Sequence, residues 1–261
     1  MTYRQADVLN TIGFKTLLKK ELLRFWKVAF QTIFAPVVTT LLYLVVFSQA
    51  LGSRISVFDN TPYAVFLIPG LVMMAVLQNA FANSSSSLTQ AKITGNIIFI
   101  LLPPLSYIEL YLAYTVAAMI RGMIVGLGVL IAATLFIPIP IHSVGFLLIF
   151  ALTSSVVLGS VGIIAGIWAD KFDQLALFQN FIIMPLTFLS GVFYSIQSLP
   201  DFWQFISHLN PFFYMVDGFR YGFLGVSDVS PWHSLVFVII AMLVCASVTL
   251  VMLKRGYKLR H

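Results

Sequence analysis

Residues 143–168 read SVGFLLIFALTSSVVLGSVGIIAGIW, an apolar run without a charged side chain. A helix needs about 20 apolar residues to cross a hydrocarbon core about 30 Å thick, so this stretch alone can span a bilayer. Five more runs reach the same length: 28–51 with Pro36 as a kink, 63–83, 107–136 with length to spare for tilt, 175–194 with Pro185 inside, and 232–253. Together they fill nearly all of the 261 residues and leave almost nothing for a soluble domain. The composition agrees, at 60% hydrophobic and 9% charged, against about 25% charged in a soluble domain. The chain reads as an all-α, polytopic membrane protein with six transmembrane helices. Its energy has to come from an ion gradient or from a partner.

Fifteen Lys and Arg against nine Asp and Glu give a net charge of +6. In a soluble protein that excess would suggest nucleic acid. In a membrane protein position decides, because Lys and Arg collect on cytoplasmic segments. Residues 1–27 hold six of them, the 2–3 loop Lys92, the 4–5 loop Lys171, and the tail 254–261 holds Lys254, Arg255, Lys258 and Arg260. The opposite side holds Arg54 and Arg220. Both termini are therefore expected in the cytoplasm, with no nucleic-acid partner. Cys245 stands alone in an apolar run, which excludes an internal disulfide framework or a paired-cysteine metal or redox site. His142, His208, His233 and His261 lack the i, i+4 spacing of a metal pair, so no metal site is expected. No cleavable signal peptide is expected either.

Three connecting segments have character of their own. Residues 11–27 alternate at helical period, with Ile12, Phe14, Leu17, Leu18, Leu22 and Phe25 on one broad face and Lys15, Lys19, Lys20, Arg24 and Lys27 flanking it. Such a helix lies in the headgroup plane. The cytoplasmic segment 84–106, SSSSLTQAKITGNIIFILLPPLS, begins polar, turns apolar and stops at Pro103-Pro104. Its apolar part is too short to span and suits a short helix along the membrane surface. The external segment 195–231 is rich in aromatics and broken at Asn210-Pro211 and Gly222. Each half is too short to cross, so it reads as a re-entrant helical hairpin, which needs helical satisfaction or protein cover at that depth.

Within this frame, residues 185–220, PLTFLSGVFYSIQSLPDFWQFISHLNPFFYMVDGFR, resemble the C-terminal signature of ABC-2-type permeases. Leu189-Ser190-Gly191-Val192-Phe193, Leu199-Pro200, Asn210-Pro211 and Arg220 take the places of that pattern, and Pro69-Gly70 and Arg121-Gly122 fit it too. The resemblance covers nearly the whole chain, and within the family it extends to small bacterial permeases of the YadH type and to nodulation-factor exporters. It implies a half-transporter in the bacterial inner membrane, a homodimer joined by two copies of a separate ABC ATPase subunit and surrounded by membrane lipids. ATP-Mg then belongs to the partner. This sequence contains no G-x-x-x-x-G-K-[ST], the loop that cradles ATP phosphates, so the chain is expected to bind no cofactor and to be no enzyme itself.

Carried onto this sequence, the resemblance implies ATPase contacts at Lys19, Glu21 and Arg24 of the first helix, at Lys92, Asn96 and Ile97, and at Asp170 and Lys171. It implies a substrate path along spans 2 and 5, with Met74, Asn79, Phe81, Phe178, Phe181 and Phe188 as candidates. Such aromatic, Met and amide side chains suit a lipid-linked saccharide, a lipo-oligosaccharide or a hydrophobic drug-like compound. It implies an external gate at Ser190, Gly191, Phe193, Asn210, Pro211 and Arg220. Two charges lie within spans, Glu109 and Arg121. An Arg at mid-membrane costs about 2.5–3.5 kcal/mol on insertion scales. The two are twelve residues apart, about 18 Å along a helix, so Arg121 needs a partner from another segment or an anionic ligand. Glu109 suits coupling to Lys19 or Arg24, or a boundary carboxylate in water. Gly122-x-x-x-Gly126 and Gly162-x-x-x-Gly166 permit close helix approach, within the subunit or between subunits. The alternative class is an ion-coupled secondary transporter, which needs titratable groups at mid-membrane. A non-transporting scaffold leaves the hairpin without a purpose.

Overall fold

A computed structural model of the chain describes residues 10–51, 56–57 and 61–258. Arg4, Arg54, Arg260 and His261, which entered the sequence argument, lie outside the described residues. The order is α1 (Thr11–Lys27), α2 (Ala29–Leu51), α3 (Tyr63–Ile93), α4 (Ile97–Leu101), α5 (Tyr107–Thr134), α6 (Val144–Trp168), α7 (Phe172–Phe178), a π-helical turn (Gln179–Ile183), α8 (Met184–Phe188), a 3₁₀ turn (Ile196–Ser198), α9 (Asp201–Leu209), α10 (Pro211–Leu224) and α11 (Pro231–Arg255). Ser56–Val57 pairs antiparallel with Thr61–Pro62 ahead of α3. Among the described residues, five helices are long and apolar enough to cross a membrane: α2, α3, α5, α6 and α11.

α3 sits at the centre. It packs against α2, α5, α6 and α10, and most of its side chains are buried. The close approach comes from glycine. A Cβ at Gly162 of α6 would stand 2.5 Å from the Phe81 carbonyl oxygen of α3, and one at Gly166 would stand 3.0 Å from that of Ser85. Gly122 and Gly126 of α5 meet Val76 of α3 in the same way. Both small-residue pairs thus pack inside one chain.

Three expectations need correction. Span 2 does not end at Asn83; α3 runs ten residues further, through the serine stretch to Ile93. Ser85 Oγ donates to the Phe81 carbonyl at 2.8 Å and Ser86 Oγ to that of Ala82 at 2.6 Å. Back-bonded in this way, small side chains stay helical and let α1 and α6 approach. The chain then turns at Gly95, whose φ of +72° is left-handed, into the five-residue α4.

The second correction concerns span 5. Its helical part stops at Phe188, well before Tyr194, and is interrupted at Gln179–Ile183. Pro185 has no N–H to give the Phe181 carbonyl, and the wider π turn falls at that place.

The third concerns α1. Its ends agree with the expected 11–27, but Ile12 is 77% exposed and Glu21 is buried between Leu17 and Phe25. α1 lies along the first half of α5: Gly13 stands against Leu105 just ahead of α5, and the Phe25 ring lies 5.9 Å from the guanidinium of Arg121. The buried face is therefore partly ionic, and its partner is protein.

Candidate functional site

The candidate residues gather at two ends of the bundle. At one end, residues 189–194 form a turn that α3 and α10 hold. Gly191 takes φ +73°, and its carbonyl accepts from Arg220 Nη2 at 2.5 Å. The Phe193 carbonyl accepts from the Tyr63 hydroxyl at 2.8 Å. Gly70 of α3 lies flat against Val192, where a Cβ would stand 2.8 Å from the backbone oxygen. Ser190 Oγ donates to the Thr187 carbonyl at 2.6 Å.

Asn210 acts twice here. Its Nδ2 donates to the Leu186 carbonyl at 2.6 Å, while its Oδ1 caps α10 by accepting from Phe212 N at 3.0 Å. Pro211 follows at the first helical position, where a missing N–H costs nothing. All six residues expected at an external gate thus meet in one knot.

The knot continues behind α10. Arg220 is fully buried, with its guanidinium carbon 4.0 Å from the centre of the Phe66 ring. Asp217, one turn earlier, accepts from the backbone N–H groups of Asp228 (2.8 Å) and Val229 (3.2 Å). The Asp228 carboxylate in turn accepts from Ile196 N at 3.1 Å and from the Ser195 hydroxyl. The loop after the turn, α10 and the loop that follows α10 are tied by carboxylates that the sequence reading did not single out.

At the other end α1 is pinned to α3. Glu21 pairs with Lys20 at 3.0 Å and with Arg24 at 3.3 Å, and accepts from Ser87 Oγ at 2.8 Å. Arg24 donates to Ser86 Oγ (3.1 Å) and to the Asn83 carbonyl (2.7 Å). Between α1 and α4 lies a groove of ≈ 570 Å³, whose walls include Asn10, Gly13, Lys20, Asn96 and Phe99. Phe99 is 71% exposed and Ile98 60%.

Lys92 and Asp170, expected as separate ATPase contacts, are bonded to each other at 2.8 Å. Lys92 Nζ also donates to the Ile167 and Ala169 carbonyls, both at 2.8 Å, which caps the end of α6. Lys258 of the tail closes the clamp on Asp170 at 3.2 Å. Lys19 and Lys171 are exposed.

The hydrogen bonds from Lys92 and then Lys258 hold the Asp170 carboxyl below the ordinary carboxylate range. A lowered folded-state pKa means the clamp is complete above about pH 4 and is lost as pH falls through the lowered value. Asp170→Asn is expected to free the tail at neutral pH, with trypsin cleaving after Lys258 several-fold faster than in the unaltered chain. Equal cleavage rates would show that the clamp holds nothing.

Glu109 is a helix cap. Its Oε2 accepts from Ser106 N at 2.7 Å while Ser106 Oγ accepts from Glu109 N at 3.2 Å, a capping box. The sequence Ser106-Tyr107-Ile108-Glu109 carries that S-x-x-E signal openly. The ion pairs expected with Lys19 or Arg24 do not form, because Arg24 is held by Glu21. Among the described residues, the hydrogen bond that Arg121 makes is to Asn79 Oδ1, at 3.4 Å.

Of the path candidates, Phe81 and Phe178 are stacked 6.4 Å apart. Phe188 stacks on Phe193 at 5.6 Å. Met74, Asn79 and Phe81 are buried by their own chain, whereas Phe181 and Phe188 are exposed.

The chain is a bundle of membrane-length helices with loop 189–194 held by an inward arginine, and it belongs to the ABC-2 type transporter family, whose model matches residues 12–224. It is 38% identical to the inner membrane transport permease YadH of Escherichia coli K12, over 97% of this chain and 98% of that protein. Nodulation protein J of Rhizobium meliloti is 24% identical over 85% of this chain and 86% of its own length. The protein of the same name from Sinorhizobium fredii is 27% identical over 65% of each.

Proposed function

We propose that this chain is the membrane half of an ATP-driven exporter. Two copies enclose the path, and two copies of a separate ABC ATPase subunit, which hold the ATP and Mg, dock on the cytoplasmic face. The observation that carries this reading is the groove between α1 and α4, which Phe99 lines opposite Thr16 and Lys20 of α1, with Ile98 exposed on the same short helix. An exposed apolar pair on so short a helix suits a protein partner that presses there.

The same reading takes six crossings. The helical stretch Phe172–Phe188, seventeen residues or about 26 Å at 1.5 Å per residue, forms the sixth with residues 189–194. α9 and α10 form a re-entrant hairpin, with α10 covered by α3, α6 and α11. The twelve Lys and Arg counted on one side against two on the other favour cytoplasmic termini. The substrate is an amphiphile, a lipid-linked saccharide, a lipo-oligosaccharide or a hydrophobic compound, which the exposed Phe181 and Phe188 suit. An ion-coupled mechanism has little to work with, since Glu109 is engaged as a cap.

The test is gentle purification from the native membrane with intact-complex mass analysis. Two copies of the chain with two of a Walker-motif ATPase are expected. The paired change Ile98→Ser and Phe99→Ser is expected to lower ATPase recovery at least tenfold while the chain keeps its melting temperature. Substrate flux in liposomes by the chain alone would overturn the reading.

A further inference from the structure

The junction of α1, α3 and α5 holds more positive charge than its own carboxylates balance. Lys20 and Arg24 of α1 share Glu21. Arg121 of α5, half-buried, has no ion pair among the described residues and lies level with Phe25, beside Arg24. Both arginines reach α3 on successive turns, Arg121 at Asn79 and Arg24 at Asn83.

Donors at this junction also lack acceptors. Arg121 Nε and Asn83 Nδ2 are buried without a hydrogen-bond partner among the described residues. The bond that Arg121 makes to Asn79 is long, at 3.4 Å. A buried donor left without an acceptor costs about 1–3 kcal/mol, and an arginine at membrane depth is retained where it meets a counter-group. Glu109, the other charge of α5, faces its own cap twelve residues away. What is missing is an anion with several acceptor oxygens. A guanidinium fork matches phosphate in just this way. α2 begins at Ala29, and its exposed Phe30 and Phe34 stack at 5.5 Å, an apolar surface for an attached acyl chain.

We propose that Arg121, with Asn79 and Arg24, forms an anion site that holds the phosphate ester of an amphiphile in the cytoplasmic leaflet. Its source is either a bilayer phospholipid or the transported molecule; the second alternative rests on the exporter reading. Lysophosphatidic acid and a monoacylglycerol of the same chain length are the probes, titrated against the full chain in neutral detergent without any ATPase. The phosphate probe is expected to bind at least tenfold more tightly. Arg121→Gln is expected to abolish that preference and leave the monoacylglycerol affinity unchanged, while Arg121→Lys keeps part of it.

Equal affinity of the two probes for the unaltered chain overturns the proposal, as does a preference that survives Arg121→Gln. Should Arg121→Gln fail to fold, Asn79→Ala with Arg121→Lys must together lower the preference severalfold, or the site is refuted. Native mass spectrometry of chain taken from its own membrane separates the sources. A phospholipid lost on Arg121→Lys marks the bilayer, and a phosphate amphiphile foreign to the bilayer marks the cargo; an unchanged profile counts against both. Because binding alone is read, failure here leaves the exporter reading intact, and failure to recover an ATPase leaves this site intact.

Discussion

Arg220→Ala is expected to lower stability by about 3–5 kcal/mol, the usual cost of removing one partner from a buried charged network, and to remove most of the chain from the membrane fraction. The side chain is fully buried. It stacks on Phe66 at 4.0 Å and closes the turn through the Gly191 carbonyl at 2.5 Å. A desolvated cation–π contact contributes about 2 kcal/mol, and a hydrogen bond from a charged group about 1.5–3 kcal/mol. The deletion also leaves Asp217, one turn earlier on α10, and Asp228 of the following loop without their nearby cation. Two further variants separate charge from volume. Arg220→Met fills the space without a charge and is expected to be nearly as damaging as Arg220→Ala. Arg220→Lys keeps a cation over the ring and is expected to recover roughly half the loss. Thermal unfolding of the purified chain in detergent gives the order. A methionine variant as stable as the unaltered chain would show that the knot is held by packing alone.

The residues of that knot were legible as a pattern, while their contacts were not. Ser190, Gly191, Asn210, Pro211 and Arg220 stand within one stretch of the sequence, and their spacing marks them. Tyr63, Phe66 and Gly70, which receive the turn, lie on α3 more than a hundred residues earlier, and no local signal links them. The span limits of α2, α6 and α11 fell within about two residues of those expected because apolar length fixes them.

The expected end of α3 failed for a tertiary reason. Four serines in a row read as the polar start of a separate cytoplasmic segment, yet here they continue α3 and give the small surface on which α1 and α6 dock. Glu21 was expected as an ATPase contact; its buried bond to Ser87 depends on α3 continuing through the serines, which the expected end at Asn83 did not provide. Glu109 was misread differently: the capping box was present in the sequence, but a carboxylate inside an apolar run drew attention to its charge first.

Two glycines give the second large effect, and their difference is the test. Alanine favours a helix over glycine by about 1 kcal/mol, so a loss on Gly→Ala must come from contact. At Gly162 the obstacle is main chain: a Cβ meets the Phe81 carbonyl oxygen at 2.5 Å and Ser84 Cβ at 3.2 Å. Helix α6 would have to withdraw along the contact that centres the bundle, at a cost of about 1–3 kcal/mol or more. Trimming side chains cannot restore it. At Gly218 of α10 the obstacle is a side chain, the Phe150 ring, with atoms 2.1–2.5 Å from a Cβ. Gly218→Ala is expected to be at least as damaging alone and to be largely rescued by Phe150→Leu, which removes the ring and keeps an apolar filling. Gly162→Ala paired with Ser84→Ala is expected to stay as low as Gly162→Ala alone, because the carbonyl remains. Melting temperatures of the four variants decide it. If Gly162→Ala melts with the unaltered chain, α3 and α6 are a seam able to slide, and motion between them becomes available to a transport cycle. If it falls as expected, α3 and α6 are one rigid body, and opening the path must use the thinly covered α2 and the π-interrupted segment before Phe188.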